Sequence, residues 1–292
     1  MLRHGLHLRG LDLKSKAPSV LPSNYRPELD VTPYNNEEDH AWYQQQIGVL
    51  RWAVELGRID ICGEVSMMAS YSAVSRTGHL DALLHMYAHL NAHIRSQAVF
   101  DPEYIEHEMV VMPDWSDFYR GAKELIPLDA PEPRGKPVQC TTFVDSDHVG
   151  DTVTRRSRTG VLVFLNTAPI IWKSDKQLSI ETSSFGSEFT AMKVATEIIE
   201  GLRFKLRMMG VPLDGPAHVK ADNHQSVIVN ASNPVSVLKK KSNSVAYHYC
   251  RERCAMGVMV ISYEKTGSNL ADMLTKIQPG PTRKRLVRCV LY

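Results

Sequence analysis

Cysteine is scarce in this chain, and long apolar stretches are missing. Five cysteines among 292 residues (Cys62, Cys140, Cys250, Cys254 and Cys289) form an odd, sparse set, which argues against a disulfide framework. No apolar run reaches the roughly 18 residues that a membrane span needs, and the start carries no secretory-leader pattern. A reduced intracellular protein with no membrane partner is the simplest expectation; cytoplasm and nucleus are not distinguished. The 43% hydrophobic and 23% charged content is that of a folded globular protein. The length suits about two domains.

Net charge is nearly absent too, at +2 from 34 Lys+Arg and 32 Asp+Glu. The total hides an uneven distribution. Cut in the proline-rich stretch 127–137, residues 1–135 hold 12 basic and 19 acidic side chains, net −7. Residues 136–292 hold 22 basic and 13 acidic, net +9. A +9 segment beside a −7 segment points to a polyanion-binding module joined to something else.

The organisation expected along the chain follows that cut. Residues 1–37, with Pro18, Pro22, Pro27 and Pro33, read as an irregular or frayed lead-in. Residues 38–126 read as a smaller, mainly helical segment, with helices over 40–56, 60–74 and 78–94 and a tail that packs by Trp115, Phe118 and Tyr119. Residues 127–137 are a linker, and 138–292 an α/β domain. Its expected strands cover 140–145, 160–166, 169–173, 217–222 and 258–265, the first three as an antiparallel meander. A long helix carries the stripe Phe185, Phe189, Met192, Ile199, Leu202, Leu206 and Met209, and Gly210 ends it. Further helices are expected over 225–231 and 244–256, and another opens at 269–276. The order gives a mixed five-stranded sheet flanked by helices.

Four acids fall where such a sheet gathers ligands. Asp145 ends the first strand, Glu188 lies in the first turn of the long helix, Asp222 ends the fourth strand, and Asp272 opens a late helix. Like charges about 4 Å apart repel by roughly 4 kcal/mol at an effective dielectric near 20. Such a set either shifts its proton affinities or holds divalent cations. All-oxygen ligation favours Mg²⁺ or Mn²⁺ over zinc. Two such ions suit phosphodiester hydrolysis, and the basic surroundings make nucleic acid the expected substrate.

The runs FVDSDHVGD (143–151), RRSRTG (155–160), IIWKS (170–174), SSFGSEFTAM (183–192), ADN (221–223), LKKKSNSVAYHYCRE (238–252) and NLADMLTK (269–276) together resemble the ribonuclease H domain of copia-type LTR retrotransposon polyproteins. Upstream, YQQQIGVLRWAVELGRIDI (43–61) is similar to the segment that follows the reverse-transcriptase palm in those polyproteins. The resemblance implies a ribonuclease H-like fold and metal-dependent cleavage of RNA in an RNA–DNA hybrid. It sets Asp145, Glu188, Asp222 and Asp272 on the four metal-binding acids of a two-ion site. In it, Asp145 and Asp222 contact both ions or lie between them, Glu188 lies nearer the leaving group, and Asp272 nearer the attacking water. It also makes the rest of a retroelement polyprotein a partner; oligomeric state is left open.

Departures and absences bear on that implication. After Asp222 the sequence is one residue longer than the family's usual D-N-x-S-V. The loop 266–268 lacks the histidine that cellular ribonucleases H use in product release. No Asp-Asp pair occurs, so the polymerase palm signature is missing; a fragment or degenerate copy is the expectation. The second reading is therefore a non-catalytic relic that at most binds nucleic acid, and the third is a DNA-cutting transposase of the same fold.

Blander readings stand beside the sharp ones. Asp147 and Asp151 compete with Asp145 but suit turn caps. His79, His85, His89 and His93 suit helix packing better than a metal, and His248, Cys250 and Cys254 lack a fourth zinc ligand at standard spacing. Arg155, Arg156, Lys239, Lys240 and Lys241 are candidates for backbone-phosphate contact, and Arg158 is similar. Arg283, Lys284, Arg285 and Arg288 read as a solvated helix face.

Overall fold

A computed structural model describes residues 17–107, 110, 112–222, 227–238 and 241–292. In chain order its helices and strands are α1 (Glu37–Glu55), α2 (Cys62–Ala69), α3 (Thr77–Ala92), β1 (Cys140–Asp147), β2 (Arg158–Leu165), β3 (Ala168–Lys176), α4 (Ser184–Met208), β4 (Ala217–Ala221), α5 (Val229–Ser232), α6 (Ser244–Ala255), β5 (Met259–Tyr263), α7 (Asp272–Thr275) and α8 (Gly280–Val287). Among the described residues, no helix is long and apolar enough to cross a membrane. The chain divides into two compact units. One comprises the residues up to Val99, Asp151–Arg155 and Lys276–Tyr292; the other comprises Phe100–Gly150 and Arg156–Thr275.

The first unit is helical. Asn36 caps α1 by accepting from the Asp39 N–H at 2.8 Å, and Glu37, Glu38 and Asp39 suit the positive end of the helix. The single helix expected over 60–74 is instead a 3-10 turn, Ile59–Ile61, followed by the shorter α2. Residues 17–37 are irregular as expected, yet they are held down, with Val20 and Leu21 fully buried. The α3 histidines do the holding. The His79 ring meets the Pro27 carbonyl at 3.0 Å, His85 meets Ser19 at 3.1 Å, and His89 meets Ala17 at 3.2 Å. These three histidines of that face serve packing and tethering.

Arg283 departs from the solvated face expected of its helix. Its guanidinium is buried, donates to the Asp60 carbonyl, and lies 3.7 Å from the Asp60 carboxylate and 3.6 Å from Glu64. Arg58 pairs with Asp60 through two 2.8 Å bonds. Burial alone would raise the Asp60 proton affinity, but these arginines and His89 overcome it and hold the carboxyl well below its ordinary range.

The second unit holds a mixed sheet in the order β3-β2-β1-β4-β5. The first three strands pair antiparallel, and β4 and β5 run parallel to β1. This is the expected mixed five-stranded sheet flanked by helices and preceded by a helical segment. A two-residue turn joins β2 to β3, with Asn166 at φ 54°, a conformation asparagine tolerates better than most residues. Strand β2 is apolar without alternation because both of its faces are covered. One face contributes Val144, Val161 and Val163 to a core with Phe189, Met192, Ile199 and Tyr247 from α4 and α6. On the other, Phe143 and Phe164 meet edge to face at 5.8 Å. Ser183 caps α4, and Gly210 at φ 70° ends it as expected.

The unit boundary does not follow the proline-rich stretch. Trp115 is buried in the sheet's core, with Arg251 stacked 5.0 Å from its ring. Glu124 receives two 2.7 Å bonds from the buried Arg203 of α4, which also donates to the Gly215 carbonyl at 2.8 Å. Burial by itself would raise the Glu124 carboxyl, but Arg203 and Arg207 hold it below the usual range. Residues 112–126 therefore belong to the unit of the sheet, and 276–292 belong to the first unit. Glu124→Ala strands Arg203 without its charge partner and is expected to lower stability by about 3 kcal/mol. Thermal unfolding of the full chain checks this, and an unchanged midpoint refutes it.

The segment before Trp115 is tied to the sheet by a histidine pair. His107 stacks on His218 of β4 with ring centroids 3.7 Å apart, and its Nε2 meets the Thr141 hydroxyl at 3.0 Å. Burial first, then His218 and Lys220, push the His107 imidazole down to about 4; burial and Lys220 also lower His218, against a smaller opposing pull from Asp214. An unfolded chain would bind protons there from about pH 6.5 downward. The stabilisation is thus complete above about pH 6.5 and is lost as pH falls toward 4. The unfolding midpoint should drop between pH 7 and 4.5, with a smaller drop in His107→Gln; equal drops would contradict this.

Candidate metal centre

Three of the four expected acids meet. Asp145, Glu188 and Asp222 each offer a carboxylate oxygen, and the three oxygens lie within 4.8 Å of one another. Backbone register explains much of it. Strands β1 and β4 pair Thr141 with His218 and Phe143 with Lys220, and continuing that parallel register sets Asp145 level with Asp222. Glu188 arrives from the first turns of α4, whose start is fixed by Ser183.

The burial is what makes this grouping chemically pointed. Asp145 is 2% exposed and Glu188 9%, while Asp222 is half-buried. Carboxylates at 4.8 Å repel by about 3.5 kcal/mol per pair at an effective dielectric near 20. Three crowded carboxylates, two of them buried, suit a positive counter-charge, and hard oxygen donors fit Mg²⁺, Mn²⁺ or Ca²⁺. The donor set therefore fits the divalent cation that the resemblance implies.

Asp272 does not join the group at that spacing. It is buried at the start of α7, a helix of four residues, where a longer one was expected. Asp151 caps its own turn, accepting from Val153 at 3.1 Å and Thr154 at 2.8 Å, and Asp147 packs over Gly150. Cys250 and Cys254 are buried; desolvation pushes the Cys250 thiol up to about 12 and raises Cys254 further, which opposes zinc ligation. Among the described residues the three carboxylates are the single metal-compatible group of three or more.

The basic candidates separate. Arg155 is exposed with a left-handed backbone at φ 58° and falls in the first unit, whereas Arg156 is half-buried in the second. Arg158 turns inward instead, donating to the Ser174 hydroxyl at 3.3 Å. Lys241 is exposed at the 3-10 turn before α6. Lys239 and Lys240 lie outside the described residues, as does the stretch 223–226 carrying the extra residue after Asp222.

Several supporting residues were not legible as site residues. Thr275 donates its hydroxyl to Asp145 Oδ2, and Thr266 donates to Asp222 Oδ2 at 3.0 Å. Thr266 stands in the loop that lacks the cellular enzymes' histidine. Gln177 donates to the Ser187 carbonyl at 2.9 Å and the Thr159 hydroxyl at 3.0 Å, tying the residue before Glu188 to β2. Asn269 donates to the Val144 carbonyl at 2.9 Å, and Ser174 donates to the Leu274 carbonyl at 2.6 Å. Gly160, opposite Asp145 in register, makes room for α7.

A mixed sheet in this order brings together Asp145 of β1, Glu188 of α4 and Asp222 just after β4, an all-oxygen group of the class that can hold a divalent cation. No family model matches the chain. It is 24% identical over 282 residues to the retrovirus-related Pol polyprotein from transposon RE2 of Arabidopsis thaliana, covering 93% of this chain and 17% of that protein. It is 28% identical over 143 residues to the corresponding RE1 polyprotein of the same plant, covering 49% of this chain and 10% of that protein. Over 138 residues it is 31% identical to the retrovirus-related Pol polyprotein from transposon TNT 1-94 of Nicotiana tabacum, covering 47% and 10%. The homologues of this chain are thus retrovirus-related Pol polyproteins from plant transposons, of whose length it spans 10–17%. Similar solved structures include the N-terminal RNase H domain of Rv2228c from Mycobacterium tuberculosis, at 12% identity and TM-score 0.36 over 52% of this chain and 97% of that one. LC11-RNase H1 in complex with an RNA/DNA hybrid gives 15% and 0.37 over 48% and 96%.

Gly160 offers a direct test of how the site is built. A Cβ there would fall 2.7 Å from Thr275 Cγ2, 2.9 Å from the Ala271 carbonyl and 3.0 Å from Leu274 Cβ. Gly160→Ala should cost about 1–3 kcal/mol by overpacking and weaken Mn²⁺ binding by shifting α7. Gly201→Ala, where an added Cβ meets nothing within 4 Å, serves as the control. Equal unfolding midpoints and Mn²⁺ affinities for the two variants would count against this account.

Proposed function

We propose that this chain is the ribonuclease H part of a retroelement polyprotein and cleaves the RNA strand of RNA–DNA hybrids. The observation that carries the reading is the trio Asp145, Glu188 and Asp222, two of them buried, with oxygens within 4.8 Å, in a chain whose homologues are transposon Pol polyproteins. In this reading the trio holds two Mg²⁺ or Mn²⁺ ions, with Asp272 as the fourth acid. Bound divalent cations would supply Lewis acidity toward a phosphodiester and its attacking water.

What the chain itself contributes is placement. Strands β1 and β4 fix two carboxylates on a backbone that cannot slip without breaking the sheet. Thr266 donates to Asp222, and Gln177 ties down the residue before Glu188. Arg155, Arg156, Lys239, Lys240 and Lys241 are proposed to meet hybrid phosphates, an interaction that positions the duplex without reading its sequence. The position of Asp272 outside the trio favours one alternative, a relic that binds nucleic acid without cutting it.

The test uses the full chain, an RNA–DNA hybrid labelled on the RNA, and Mg²⁺ or EDTA. Mg²⁺-dependent cleavage is expected, with Asp145→Asn, Glu188→Gln and Asp222→Asn each slower by roughly a thousandfold, as befits losing several kcal/mol of charge stabilisation. Binding should weaken steeply as salt rises. Salt-sensitive binding with no cleavage selects the relic, and cleavage unchanged in Asp145→Asn removes the trio from the chemistry.

A further inference from the structure

The α7 segment meets β1 at the residue that matters most, and Thr275 makes the contact. Its side chain is buried, and its hydroxyl proton points at Asp145 Oδ2 across 130 residues of sequence. A threonine in a helix ordinarily donates to the carbonyl three or four residues earlier. Here the hydroxyl is within reach both of the Asp272 carbonyl, at 3.3 Å, and of the Asp145 carboxylate on β1. The charged acceptor makes the stronger bond.

The surroundings fix Thr275 rather than leaving it to chance. Asn269 donates to the Val144 carbonyl at 2.9 Å, next to Asp145, while its Oδ1 accepts from the Ala271 N–H at 3.1 Å. Ser174 of β3 donates to the Leu274 carbonyl at 2.6 Å. Gly160 lets the segment lie directly on β2. Three strands thus locate one hydroxyl.

We infer that Thr275 is a positioning residue of the metal centre: its hydroxyl orients the Asp145 carboxylate for cation binding. An ionised carboxylate has about four acceptor sites, and a neutral donor on one of them restrains rotation about the side chain without cancelling its charge. Partners that bond to metal ligands in this way typically change metal affinity by about 10–100-fold. The inference rests on the metal-centre reading above and adds a residue that the reading does not require.

The experiment titrates the full chain with Mn²⁺, following free Mn²⁺ by electron paramagnetic resonance. Thr275→Val keeps the shape and deletes the hydroxyl; it should weaken Mn²⁺ binding by about tenfold or more. Thr275→Ser restores the donor and should bind within about threefold of the unsubstituted chain, which a role in packing alone would not produce. Adding Thr275→Val to Asp145→Asn should change Mn²⁺ affinity no further, because the group it orients is gone. If Thr275→Val does not fold, the serine variant and the unsubstituted chain decide: loss of affinity in Thr275→Ser overturns the inference. So does unchanged affinity in Thr275→Val. An unsubstituted chain that binds no Mn²⁺ overturns both this inference and the metal-centre reading. One that binds Mn²⁺, responds to Thr275→Val and leaves hybrid uncut overturns the nuclease alone.

Discussion

The sharpest constraint in the second unit is the crowding of three carboxylates, two of them buried. Asp145 and Glu188 are buried, Asp222 half so, and their oxygens approach within 4.8 Å. Left to themselves, such groups would separate or take up protons. They stay together because each is mounted on an element that cannot move alone. Asp145 is locked between Gly160 on one side and the β4 register on the other, and Glu188 rides on a 25-residue helix packed across the core. The sheet accepts the repulsion because hydrophobic burial across both of its faces far outweighs it.

What the sequence revealed and what it hid follow from separation along the chain. Asp145, Glu188 and Asp222 were legible because the order of expected elements sets each near a strand end or a helix start, and such places converge in an α/β sheet; β1 itself runs two residues further, to Asp147. Gly210 and the α4 stripe were legible because caps and 3.6-residue periodicity are local. Thr275, Gln177 and Asn269 were not. Their partners lie 130, 10 and 125 residues away, and nothing in a lone threonine or amide marks it as aimed at a carboxylate. Asp272, at the start of the short α7, is not among the acids whose oxygens meet within 4.8 Å.

The charge cut and the packing cut disagree for a physical reason. Composition changes at the proline-rich 127–137, but packing follows buried side chains, and Trp115 and Glu124 lie upstream of it. Arg203 reaches Glu124 because a buried guanidinium must find a carboxylate wherever the chain can bring one. Arg283 does the same in the first unit with Asp60 and Glu64. Net charge described surfaces and so pointed toward a polyanion, whereas the unit boundary was drawn by charges that are no longer on the surface.

The two hydroxyls at the trio separate orientation from neutralisation. Thr275 and Thr266 donate to Asp145 and Asp222 without adding charge. A lysine or arginine donating to the same oxygens would hold them as firmly, and would also cancel the field that attracts a divalent cation. A neutral donor fixes a carboxylate's direction and leaves its charge for a ligand. That division is the physical sense in which a threonine three residues after Asp272 can matter to the carboxylate group.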